Sequence, residues 1–161
     1  MILQGVMIRK ARLQEIPEIY RLLAEGSGQW NVLPRSLAEL YSFVRDYFVY
    51  REDGENDILG VAALHVFWED LGEIRSVMVK PDHQGRGVGS QLIQSCLEEA
   101  RTLGLKKIFV LTDCIDYFRR FGFQEFPREK LHPRIWADCV KCVKFPDCDE
   151  IPMVLELPET P

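Results

Sequence analysis

The feature that most constrains this chain is the stretch Gly72–Leu103, centred on Gln84-Gly85-Arg86-Gly87-Val88-Gly89. Ahead of the glycines, Glu73-Ile74-Arg75-Ser76-Val77-Met78-Val79 alternates and is rich in β-branched residues, which predicts a strand. Behind them, Leu92, Ile93, Cys96, Leu97, Ala100 and Leu103 recur at helical spacing, with Gln94, Glu98, Glu99 and Arg101 on the other side. Gly104 stands where such a helix would stop. A strand that enters a helix through a glycine-rich turn suits an anion. The first helical amides have no intrahelical partner, the helix dipole favours negative charge, and glycine lets the backbone approach and turn sharply. Arg86 adds a forked cationic donor. The spacing is G-x-G-x-G, not the G-x-G-x-x-G of dinucleotide folds, and the Gly-Lys-Ser/Thr of nucleoside-triphosphate loops is absent. The expected phosphate ligand is therefore of another kind.

The longer string Val79-Lys80-Pro81-Asp82-His83-Gln84-Gly85-Arg86-Gly87-Val88-Gly89-Ser90-Gln91-Leu92 resembles the acyl-CoA signature of the GNAT N-acetyltransferases, Arg/Gln-x-x-Gly-x-Gly/Ala, filled here by Gln84, Gly87 and Gly89. The resemblance implies acetyl-CoA as co-substrate. It assigns the CoA pyrophosphate to Gln84, Gly85, Arg86, Gly87, Val88, Gly89 and Ser90, and the pantetheine arm to the backbone of Val77, Met78 and Val79.

A second stretch, Tyr117-Phe118-Arg119-Arg120-Phe121-Gly122-Phe123, resembles the family's Phe-Tyr-x-Lys/Arg-x-Gly-Phe. Aligned on Gly122-Phe123, Phe118 falls where the family places its general-acid tyrosine, and is expected to pack under the CoA arm. Tyr117 comes one residue earlier, about 100° away around a helix. Either Tyr117 is the acid, or the thiolate leaves without one, which an ordinary thiol pKa of about 8.5 allows. Leu33–Tyr41 and Trp136–Glu150 resemble the short stand-alone N-acetylglutamate synthases. That likeness implies the α-amine of glutamate, or of a relative such as glutamine, as acceptor, and arginine synthesis as the pathway.

A chain of 161 residues suits one domain, read here as 1–161, with a cysteine-rich irregular segment at about 127–149. The net charge of −5 argues against a general nucleic-acid or anionic-membrane binder. Met1–Ile8 has no basic stretch ahead of its apolar residues, so no signal peptide is read there. No apolar run reaches the roughly 20 residues of a membrane span. Five cysteines, an odd number without a secretion signal, point to free thiols and a cytoplasmic location.

In order, Val6–Ala11 reads as a strand, and Leu13, Ile16, Tyr20 and Leu23 as a helical stripe with Pro17 early in it. Gly26-Ser27-Gly28 reads as a flexible link. Ser36-Leu-Ala-Glu39 forms a capping box for a second helix. Tyr47–Glu52 reads as a strand, and the almost wholly apolar Ile58–Trp68 as one buried on both faces. A turn at Glu69-Asp70-Leu71-Gly72 leads into the strand already described. After its helix come a strand at Lys107–Leu111, a short helix at Asp116–Phe121, and strands at Phe123–Phe126 and Pro152–Leu157. The order β-α-α-β-β-β-α-β-α-β-β predicts an α/β fold, a GNAT-like mixed and largely antiparallel central sheet flanked by helices. Its strand–helix–strand crossover should join parallel strands.

Acetyl transfer to an amine requires loss of a proton, polarisation of the thioester and departure of a thiolate. Glu73 is the candidate base. Arg75, two residues on and on the same strand face, either pairs with it or grips a substrate carboxylate. Arg35, just before a capped helix, is a second candidate for that carboxylate. Cys139-x2-Cys142-x5-Cys148 raises zinc as an alternative, but a single CxxC is a weak signal and no metal is assigned. Cys96 reads as core and Cys114 as an improbable acyl carrier. His65 reads as a core histidine and His83 as solvated, while His132 stays undecided. The partner expected is a small-molecule amine, with a homodimer an open expectation. A non-catalytic acyl-CoA sensor, and an acetyltransferase for a peptide, protein or other amine, are the rival readings.

Overall fold

A computed structural model describes residues 5–29, 32–142 and 144–159. In chain order the elements are β1 (Val6–Lys10), α1 (Ile16–Gln29), α2 (Leu37–Ser42), β2 (Tyr47–Glu52), β3 (Gly60–Trp68), β4 (Leu71–Val79), α3 (Val88–Leu103), β5 (Lys107–Thr112), α4 (Ile115–Arg119), β6 (Gln124–Glu125), α5 (Pro133–Cys139) and β7 (Ile151–Glu156). The strands form one seven-stranded mixed sheet in the order β1-β2-β3-β4-β5-β7-β6, the α/β class expected. β1–β2, β2–β3, β5–β7 and β6–β7 are antiparallel. β4 and β5 are parallel over Leu71–Glu73 and Lys107–Phe109, as a helical crossover between them requires.

The chain divides into two compact units, Met1–Leu64 with Ile74–Glu99, and His65–Glu73 with Ala100–Pro161. In the first, the apolar stripe of α1 (Ile16, Ile19, Leu23) packs with Leu40, Val49, Ile58, Val61 and Met78. Polar anchors frame it. Glu15 takes Arg9 Nη1 at 2.7 Å and Arg51 Nη2 at 2.9 Å, and Glu18 Oε1 accepts the Ile58 amide at 2.6 Å. The expected link at Gly26-Ser27-Gly28 is helical backbone instead, because α1 continues to Gln29. Gly26 is there for close packing: a Cβ on it would sit 2.7 Å from Met78 Sδ. In the second unit, Phe67, Phe109, Leu131 and Ile135 form the core.

Three further readings change. Pro133–Cys139 is a helix inside the segment expected to be irregular. His132 Nδ1 accepts the Arg134 amide at 3.1 Å, and Pro133 stands in the first turn, where its missing N–H costs nothing. β3 is buried on both faces only from Gly60 to Leu64; beyond that it alternates, with Val66 and Trp68 exposed and Phe67 buried. β4 does not alternate. Gly72, Glu73 and Ile74 are all buried, and Ser76 has a left-handed φ of 56°, so the strand's facing shifts along its length. No described helix is long and apolar enough to cross a membrane. The signal-peptide reading at Met1–Ile8 falls partly on residues outside those described.

Candidate active site

In the first unit, β4 ends at Val79 and a short turn over Pro81–His83 leads to the glycines. Gly85 and Gly87 have φ of 76° and 83°, a region an L side chain enters only with strain, and a Cβ on either would meet nothing within 4 Å. α3 begins at Val88, and its first helical bond runs from the Gln91 amide to Gly87 O at 3.1 Å. The amides of Val88, Gly89 and Ser90 therefore lie in the first turn, ahead of the helical ladder. Gln84 Nε2 donates back to Val79 O at 3.0 Å, which ties the loop to the end of β4. Arg86 is exposed, 3.8 Å from Glu52. His83, expected to be solvated, is part-buried, and its Nδ1 is buried without a hydrogen-bond partner among the described residues.

A polar cluster in the same unit surrounds Tyr47, the first residue of β2. Its hydroxyl lies 3.3 Å from Ser76 Oγ. Burial pushes the phenol pKa up, against which act the Ser76 hydrogen bond and the charges of Arg35 and Arg75. Arg35 Nη1 is 3.6 Å from Glu39, while its Nε is buried without a hydrogen-bond partner among the described residues. Ser36 caps α2 by accepting the Glu39 amide at 3.1 Å and so fixes the chain next to Arg35. The Arg75 guanidinium carbon stands 5.9 Å from the Phe43 ring centroid.

In the second unit Glu73 is 7% exposed, on the paired part of β4. Burial raises the Cys139 thiol pKa, and the charges of Glu73, Cys148 and Cys142 push it further up. Among the described residues no group of three His, Cys, Asp or Glu converges to hold a metal ion. α4 carries Tyr117, part-buried, its ring 5.4 Å from Phe118 and 5.5 Å from Phe121, with the Arg120 guanidinium 4.8 Å from its centroid. Phe118 is buried against Phe123 at 5.5 Å. Desolvation and the neighbouring Asp113 keep the Cys114 thiol above its ordinary pKa, the wrong direction for a nucleophilic thiolate. His65 is half-buried, edge-on to Phe67 at 5.0 Å. His132 serves as a helix cap rather than a ligand.

The Acetyltransferase (GNAT) family profile matches residues 15–123, two thirds of the chain. This protein belongs to the GNAT acetyltransferase family. An uncharacterised N-acetyltransferase of Chlorobaculum tepidum is 33% identical over 150 residues, covering 93% of this GNAT chain and 96% of that protein. An amino-acid acetyltransferase of Mycobacterium tuberculosis is 38% identical over 120 residues, covering 74% and 68%. Among solved structures, N-acetylglutamate synthase of Neisseria gonorrhoeae, in complex with CoA and N-acetylglutamate, superposes with a TM-score of 0.85 at 28% identity. That match covers 98% of this chain and 36% of the synthase, so the GNAT chain spans about a third of that neighbour's length. Tyr47 and Ser76 are the polar residues that the sequence did not single out. A left-handed serine inside a strand has no sequence signal, since serine is not a residue that backbone geometry selects.

Proposed function

We propose that this GNAT enzyme transfers the acetyl group of acetyl-CoA to the α-amine of a free amino acid, with glutamate favoured over a relative such as glutamine and arginine synthesis as the setting. The observation that carries the acceptor class is Arg35, whose Nε is buried without a hydrogen-bond partner among the described residues beside the α2 cap, a guanidinium donor matched to a carboxylate; Arg75 on β4 is assigned the second contact. The names of the mycobacterial and gonococcal relatives support the same class.

In this reading the first-turn amides of α3 and the loop Gln84–Ser90 hold the pyrophosphate, Arg86 turning from Glu52 to the phosphate. The backbone of Val77, Met78 and Val79, beyond the β4–β5 ladder, holds the pantetheine arm and polarises the thioester. Glu73 takes a proton from the ammonium, directly or through water, and the neutral amine attacks the thioester carbonyl. The C–N bond forms, the nitrogen sheds its second proton to solvent, the C–S bond breaks, and Tyr117 protonates the departing thiolate and regains its proton from solvent. Phe118 packs beneath the arm.

The test is acetyl-CoA consumption, read as thiol release, across the twenty amino acids, a few peptides and aminoglycosides. Release specific to glutamate or glutamine is expected. Activity on peptides or aminoglycosides alone overturns the acceptor class, and CoA binding without turnover on any amine overturns the enzyme.

A further inference from the structure

Tyr47 is 2% exposed, so its hydroxyl is sealed from solvent. The partner of that hydroxyl, Ser76 Oγ, belongs to the one non-glycine residue with a positive φ among those described. Strained backbone of this kind persists only where its surroundings hold it. The hydrogen bond joins the first residue of β2 to the residue that follows Arg75 on β4. Ser76 directly follows Arg75, whose guanidinium carbon stands 5.9 Å from the Phe43 ring centroid. Arg35 belongs to the same unit, on the residue before the α2 cap, with its Nε buried without a hydrogen-bond partner among the described residues. The enclosed Tyr47 hydroxyl and the part-buried Ser76 hydroxyl form a fixed reference beside Arg75. Tyr47 is too enclosed to be a ligand for the substrate itself.

We propose that the Tyr47–Ser76 hydroxyl pair is a positioning device for recognition of the acceptor's carboxylate. It holds Ser76 left-handed and so sets the direction from which Arg75 meets the anion that Arg35 also grips. This inference rests on the amino-acid reading above. Tyr47 and Ser76 are positioning residues, and neither takes part in the proton transfers.

The experiment is steady-state kinetics of Tyr47→Phe, Ser76→Gly and the double variant, with the best amino-acid acceptor found for the wild type. Glycine adopts the left-handed conformation freely, so Ser76→Gly removes the hydroxyl without adding strain. Each single variant should raise the acceptor KM about tenfold. kcat should change less than threefold, and the KM for acetyl-CoA should stay within twofold. Because both changes delete the same bond, the double variant should be no worse than either single. An acceptor KM within twofold of wild type in Ser76→Gly, or multiplying effects in the double variant, overturns the pair as a unit. Melting temperature and CoA calorimetry serve as folding controls. Should Tyr47→Phe fail to fold, Ser76→Gly decides alone. A wild-type protein that binds CoA but acetylates no amino acid overturns the reading beneath; an active wild type with unaffected variants overturns only the pin.

Discussion

Glu73 sits on β4 at 7% exposure. The proposal that it is the base predicts an effect in turnover. Glu73→Gln is expected to lower kcat by about 100-fold or more, the usual scale for a lost acid–base group, while CoA affinity by calorimetry stays within threefold. Unchanged turnover would remove Glu73 from the mechanism. The role proposed for Tyr117 is smaller. It is enclosed by Phe118, Phe121 and Arg120, and Phe118 occupies the family's tyrosine position as a packed core residue. A thiolate of ordinary pKa leaves tolerably unaided, so Tyr117→Phe should cost about tenfold in kcat, most visibly on the acid side of the pH profile. Loss of structure without this kinetic signature would return Tyr117 to a packing role. Cys96 shows the opposite case: enclosed on α3, its thiol is pushed up to about 12 by burial and stays protonated through the physiological range.

At the scale of elements, the first turn of α3 carries the cofactor assignment. Gly87 holds φ at 83° and its carbonyl accepts the first helical bond, so a β-branched residue there is strained even with open space around it. Gly87→Val is expected to weaken CoA binding at least tenfold in calorimetry, with little change in Glu73-dependent chemistry at saturating acetyl-CoA. Wild-type affinity in that variant would move the pyrophosphate away from this turn. α1 makes a packing prediction. Gly26→Leu would drive a side chain into Met78, whose Sδ would lie 2.7 Å from the new Cβ, and should lower the melting temperature by several degrees. Adding Met78→Ala should recover part of that loss.

For the whole molecule, acid stability depends strongly on Glu15. Burial alone would raise its carboxyl, but hydrogen bonds from Arg9, the Arg12 amide and Arg51 hold it at about 2, below the ordinary 4.5. A depressed carboxylate contributes stability that is complete above the unfolded value and is lost as pH falls toward the folded one. The window is therefore roughly pH 4.5 down to 2, and the contribution is on the order of 3 kcal/mol. Urea midpoints measured across that range should fall steeply for the wild type. Glu15→Gln should start lower at neutral pH and fall less. Parallel curves would show that Glu15 is not the group responsible.

Local pattern alone determined the strand, the glycine turn, α3 and most strand boundaries, together with the family resemblance. Glycine conformation, capping and side-chain periodicity act over a few residues, so they are written in consecutive positions; Ser36 capping α2 and the buried face Leu92, Ile93, Cys96, Leu97 and Ala100 of α3 are examples, while Leu103, expected on that face, is exposed at the helix end. The tertiary structure alone decided what distant partners impose. Met78 turns Gly26 from an apparent link into a helical contact, and the Phe67–Phe109 core gives Ile135 a place to bury and so supports α5 among prolines. The Tyr47 hydroxyl meets a left-handed Ser76 twenty-nine positions away. Such pairings follow from packing free energy summed over the folded chain, which no short window of sequence contains.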